Sequence, residues 1–191
     1  MKIYLASKSP RRRQLLQQIG VDFEILAIDV PEERASGETP DRYSERVTSE
    51  KLRAAWDELV NNNLPVMPVL CADTEVVIDQ DILGKPEDYQ HAFSMLQRYS
   101  GQSHLVITSV GLKYFDYQKI LTNRTTVYFA PMSDADIHSY LAMDDYKDKA
   151  GAYGIQSAIG QFISKIDGCF FSVMGLPLNT VRELLQDLQH S

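Results

Sequence analysis

The sequence predicts a mixed α/β domain with a mixed sheet flanked by helices, on three observations. Its first sixty residues alternate apolar β-like runs with capped helical segments in the order β, α, β, α. Two long β-rich stretches, His104 to Phe115 and Ile120 to Phe129, are joined by a short polar turn that makes them antiparallel neighbours. Helical periods return between and after the strands, which is the pattern of a layered α/β unit.

In chain order, Lys2 to Ala6 reads as a buried strand, and Ser9 followed by Pro10 as the N-cap and first position of a helix that stops at Gly20. A strand over Phe23 to Ile28 leads into the polar loop Asp29 to Glu38. Thr39 and Pro40 repeat the start signal for a long helix to about Val60. The apolar run Val66 to Ile78 is broken at Asp73, Thr74 and Glu75, and Asp79 to Asp81 turn it into Ile82 to Pro86. A helix over Asp88 to Tyr99 precedes the antiparallel pair, and Ser133 caps another to about Met143. A loop with Gly151 and Gly154, strands at Gln161 to Ile166 and Phe170 to Val173, and a helix from Pro177 to Leu188 complete the reading.

A length of 191 residues fits one domain, taken as residues 1–191. The chain is 44% hydrophobic and 24% charged, and no apolar run approaches the roughly 20 residues that cross a bilayer. No membrane association is expected. The opening apolar run followed by a basic cluster reverses the order of a secretory signal, so the cytoplasm is the expected compartment. A net charge of −7 argues against nucleic acid as a partner, because such affinity comes from many Lys and Arg contacts to phosphate. Cys71 and Cys169 lack zinc-site spacing and read as reduced core residues. The four histidines show no metal or triad spacing and are assigned no chemistry.

Some positions resist a purely structural reading. Arg11, Arg12 and Arg13 occupy a first helical turn, where the helix dipole disfavours cations by roughly 0.3 to 1 kcal/mol each. Either this is a solvated basic turn, or the strand, the Ser-containing turn and the helix start form an anion site with Ser7, Ser9, Arg11 and Arg12. It lacks the glycines and the Gly-Lys-Ser/Thr ending of a P-loop. Lys51 lies on the inward stripe Tyr43, Val47, Ala55, Leu59, so it either snorkels to water or meets a buried or ligand-borne negative charge. Asp73 interrupts a buried strand. An ionised carboxylate there must be paired, hydrogen-bonded, metal-bound or raised in pKa, unless it lies at the strand end and caps the turn. With Glu32 and Glu33 from the preceding loop it could form an all-oxygen site for Mg2+ or Mn2+. Lys85 is held just past a strand by Pro86, which limits where its ammonium can go; on its own it reads as a surface lysine.

The set Ser7, Ser9, Pro10, Arg11, Arg12, then Glu50 and Lys51, then Ala72, Asp73, Thr74, then Gly84, Lys85, Pro86 resembles the Maf family of nucleotide pyrophosphatases. The match continues through Asp148 to Gln156 and Gly175 to Pro177, in order along nearly the whole chain. The resemblance implies a fold similar to the inosine triphosphate pyrophosphatases, a nucleotide cleft between two lobes, usually a homodimer, and hydrolysis of a nucleoside triphosphate between its α and β phosphates with a divalent metal. It implies Asp73 as general base on water, Glu33 with Asp73 holding the metal, and Ser7, Arg11, Arg12, Lys51 and Lys85 holding phosphates. The segment Asp148 to Gln156 resembles the dTTP and UTP branch, in which Arg11, Thr74 and Gln156 match positions that set substrate choice. A Gln amide can pair with the imide edge of uracil or thymine. Three departures stand out: Glu75 where an aliphatic residue is common, Lys8 between the serines, and Cys169, Phe170, Phe171 in place of a more polar stretch. The alternatives are a branch acting on modified purine nucleotides such as 7-methyl-GTP, a nucleotide-binding regulator of cell division, and a structural protein with a degenerate site.

Overall fold

The first strand, β1 (Ile3–Leu5), is buried on both faces, and alternation sends its side chains into two different cores. Ile3 and Leu5 join a cluster with Leu15, Leu16, Leu70, Val181 and Leu184, while Tyr4 and the adjoining Ala6 join one with Leu52, Ala55, Leu59 and Cys71. Helices therefore cover both faces: α1 (Pro10–Gln18) and α6 (Leu178–His190) on one, α2 (Pro40–Asn61) on the other. In this computed structural model, residues 1–190 are described.

The other strands are β2 (Phe23–Ile25), β3 (Val69–Ile78), β4 (Asp81–Leu83), β5 (Ser103–Tyr114), β6 (Tyr117–Phe129) and β7 (Ile163–Asp167). Seven strands form one sheet in the order β2-β1-β3-β5-β6-β7, with β4 on the far half of β3. β1 is parallel to β2 and β3, whereas β3, β5, β6 and β7 run antiparallel in succession, so the sheet is mixed as expected.

β3 spans ten residues and serves two lobes. Leu70 and Ala72 pack under α6, whereas Val76 and Ile78 enter a second core with α3 (Tyr89–Tyr99), α4 (Asp134–Leu141), Tyr153 and Ile159. Asp73, Thr74 and Glu75 lie between the lobes. The expected cleft opens there.

Helix starts follow the sequence: Thr39, Asp88 and Ser133 each accept a first-turn backbone N–H, and Ser133 with Asp136 closes a capping box. Three details differ. Phe170–Val173 is a short helix, α5, not a strand; left-handed Gly168 and Gly175 bracket it, and Phe171 and Met174 drop into the core beneath α6. β2 ends at Ile25 because the chain leaves the sheet edge after Leu26 donates to Leu5. The β5–β6 hairpin is tighter than expected, with β6 starting at Tyr117. Among the described residues, no helix is long and apolar enough to cross a membrane.

Candidate active site

A cleft of about 1150 Å3 separates the lobes, large enough for a nucleoside triphosphate. Its floor begins at the turn between β1 and α1. Ser9 caps α1 by position but makes no side-chain capping bond; the hydroxyl of buried Ser7 instead accepts from the Ser9 N–H at 3.2 Å. The N–H groups of Arg11 and Arg12 are left without helical acceptors, as first-turn donors are. Arg12 reaches across the molecule. Its Nε donates to the Gly175 carbonyl at 2.8 Å, and its Nη1 and Nη2 to Ser7 Oγ at 3.3 Å and Thr74 Oγ1 at 3.1 Å. One guanidinium thus ties together the β1–α1 turn, β3 and the loop before α6. Burial lowers the pKa of both arginines, opposed by Asp73 at Arg12 and by Asp145 at Arg11.

From the opposite face, α2 delivers Lys51. Tyr43, Val47, Ala55 and Leu59 are buried as the periodic stripe requires, so Lys51 between them is aimed at the sheet. Its Nζ lies 2.6 Å from Asp73 Oδ1 and 2.6 Å from Glu32 Oε1, with side-chain exposures of 12% for the lysine and 7% for the aspartate. Burial opposes the ammonium charge, but Asp73 and Glu32 outweigh it and leave the Lys51 pKa raised. Asp73 Oδ2 is buried without a partner. Glu75 leaves β3 on the same face, and burial first, then the Asp73 charge, pushes its carboxyl far above its ordinary range.

The loop ahead of α2 is fixed by Arg46, which binds both Glu38 oxygens at 2.8 and 2.9 Å, Glu50 at 3.1 Å and the Glu33 carbonyl at 2.9 Å. Tyr43 donates to the Glu32 carbonyl at 2.9 Å. Glu32 is thereby turned to Lys51, while the Glu33 side chain is exposed and lies outside the residues lining the cleft. Arg34 spans the mouth, donating to the carbonyls of Glu38 at 2.8 Å and Gln80 at 3.2 Å.

The second lobe supplies the far wall. Exposed Lys85 follows β4, and the segment from Lys147 to Gln156 brings Lys149 and exposed Gln156 to the cleft. Gly151 joins the two, its N–H donating to the Gly84 carbonyl at 2.9 Å. Lys149 is held by the carbonyl and carboxylate of Asp145, which also accepts from Tyr140.

The fold therefore gathers Ser7, Arg11, Arg12, Lys51, Asp73, Thr74, Lys85 and Gln156 around one cleft, and leaves Glu33 out. Thr74 faces away from Asp73, bonded to Arg12 and 3.1 Å from Thr108 Oγ1. Sequence reasoning gave no site role to Tyr43, Arg34 or Lys149. Tyr43 was visible as a stripe residue, but no sequence signal marks its hydroxyl as the anchor of Glu32. Among the described residues no group of three or more His, Cys, Asp or Glu is set to hold a metal. The unpartnered Asp73 Oδ2, with Glu75 beside it, still fits a hard cation whose remaining ligands are phosphate and water.

The family model described as Maf-like protein matches residues 2–188. The chain belongs to the Maf family. Among Maf relatives, a dTTP/UTP pyrophosphatase of Chromobacterium violaceum is 44% identical over 97% of this chain and 94% of its own length. One from Nitrosomonas europaea is 45% identical over 97% of this chain and 93% of its own. One from Escherichia coli K12 is 44% identical over 97% and 92%.

Proposed function

We propose that this chain is a nucleoside triphosphate pyrophosphatase that cleaves dTTP and UTP between the α and β phosphates. The carrying observation is the Lys51–Asp73 pair at the base of a cleft walled by Arg11, Arg12, Lys85 and Lys149. A buried acid inside a cationic pocket suits hydrolysis more than simple phosphate binding, because the acid would repel an anion unless it has chemistry to do.

Water attacks the α-phosphorus, the bond to the bridging oxygen breaks, and its electron pair leaves with pyrophosphate. Asp73 orients the water and takes its proton. Ser7, the free N–H groups of the α1 turn, Arg11, Arg12, Lys51 and Lys85 hold phosphate oxygens and spread the charge that develops on them. Thr74 sets the reach of Arg12, and the Gln156 amide offers the donor and acceptor that the uracil or thymine edge requires. A divalent cation, Mg2+ or Mn2+, held by Asp73 and phosphate oxygens, supplies charge neutralisation. Glu33 becomes a ligand only if its loop rearranges. The reading extends to a homodimer working in the cytoplasm, on the family resemblance.

Pyrophosphate release from dTTP, UTP, GTP and 7-methyl-GTP with Mg2+ or Mn2+ tests it. The expected result is a kcat/KM for dTTP or UTP at least about tenfold above GTP, the discrimination a paired polar edge gives. Faster turnover of either purine nucleotide places the chain in another branch. Nucleotide binding without turnover of any of them favours a regulator.

A further inference from the structure

Side chains two apart on a strand share a face, so Asp73 and Glu75 project together from β3 toward α2 and the cleft. Both are buried, at 5% and 8% exposure. Lys51 holds Asp73 Oδ1, and the other oxygen, Oδ2, has no partner although it is fully enclosed. Among the described residues no lysine, arginine or backbone N–H donates to Glu75, which lies beside Asp73 on the same face of β3 and lines the same cleft. Two buried carboxylates side by side are unfavourable unless a shared proton or a metal cation lies between them. Lys51 is already shared with Glu32, and three Arg12 nitrogens are committed to Gly175, Ser7 and Thr74. Two acids thus share one ammonium, and Glu75, beside the second of them, has no cation of its own. The Asp73–Glu75 edge, with Asp73 Oδ2 unpartnered, therefore holds either a proton or, in its place, a metal cation.

We propose that Glu75 is a direct ligand, together with Asp73, of the divalent cation in the cleft. The inference rests on the pyrophosphatase reading of the site. Two carboxylates with oxygen ligands from phosphate and water match the preferences of Mg2+ and Mn2+, and each carboxylate oxygen carries two lone pairs, so Asp73 can share a cation and still accept from water. An aliphatic side chain at this position leaves Asp73 as a lone β3 ligand. This chain is therefore expected to hold the cation before nucleotide arrives.

Mn2+ binding, followed by loss of the free-ion electron paramagnetic resonance signal, reads this without turnover. In the full chain without nucleotide, Glu75→Gln is expected to raise the Mn2+ Kd by about tenfold or more, as loss of one charged oxygen ligand does. Glu75→Asp, which keeps the charge, is expected to retain part of the affinity. Circular dichroism and the urea midpoint show whether each variant is folded, and Glu75→Ile provides a second neutral variant should Glu75→Gln fail. A Kd unchanged in the folded neutral variant overturns the proposal, as does a wild-type chain that binds no Mn2+ even with α,β-imido-dTTP present. Failure of the pyrophosphatase reading shows separately, as absence of pyrophosphate release by a wild-type chain that does bind Mn2+.

Discussion

Lys51 Nζ and Asp73 Oδ1 stand 2.6 Å apart across the interface between α2 and β3, joining the two elements at the base of the cleft. Removing one member of a buried pair strands the other. Lys51→Met is therefore expected to cost about 3 kcal/mol of stability in urea unfolding, and Lys51→Met with Asp73→Asn to recover a large part of it. A double variant that loses the sum of the Lys51→Met and Asp73→Asn losses would show that the pair is not coupled.

Arg12 is held by direction as well as charge, with separate nitrogens on Gly175, Ser7 and Thr74. Lysine cannot reproduce that fork. Arg12→Lys is expected to destabilise the fold by about 1 to 2 kcal/mol and to raise KM for dTTP about tenfold. Steady-state kinetics beside a denaturant titration measure both; wild-type values of the two would contradict the role assigned to Arg12.

Burial pushes the His104 imidazole down to about 3, where it packs against Tyr99 and Phe129 and bonds Tyr153 at 2.7 Å. The folded state keeps His104 neutral, while the unfolded chain takes up a proton below its ordinary pKa of about 6.5. Below that pH the unfolded state binds more protons, so this group removes stability as pH falls, by about 1.4 kcal/mol per pH unit. Urea midpoints from pH 7 to 4 are expected to fall less steeply in His104→Phe. Identical slopes would assign the acid sensitivity elsewhere.

Gly151 adopts φ +70°, and a Cβ there would lie 2.6 Å from the Tyr99 hydroxyl and 2.9 Å from Val76 Cγ2. Gly151→Ala is expected to cost about 2 to 3 kcal/mol, from left-handed strain plus overpacking. Because Gly151 links the Lys85 and Gln156 segments, KM for dTTP should rise as well. A thermal melt and a substrate titration check the two; a variant with wild-type stability would refute the tight contact.

Much of this was legible in the residues. Thr39, Asp88 and Ser133 announce helices because capping is local chemistry, and Lys51 on the Tyr43 stripe announces an inward charge because helical period fixes direction. Asp73 in an apolar strand was a similar signal, now met by Lys51. Phe170–Val173 misled because four residues of aromatic and branched character do not reveal their period, and burial of Phe171 beneath α6 decided the outcome. Ser9 and Pro10 marked the start of α1 correctly, although the Ser9 hydroxyl makes no capping bond and its N–H is given to Ser7. The choice between Glu32 and Glu33 had no local signal at all. It depends on Tyr43 and Arg46 gripping the carbonyls of this loop from α2.

The most direct test of Asp73 as the general base is dTTP hydrolysis by Asp73→Asn under Mg2+, with kcat and KM measured separately. The account predicts kcat lower by about a hundredfold or more with KM changed much less, since the amide keeps the shape and cannot take a proton. A variant that retains kcat within a few-fold of wild type would contradict it.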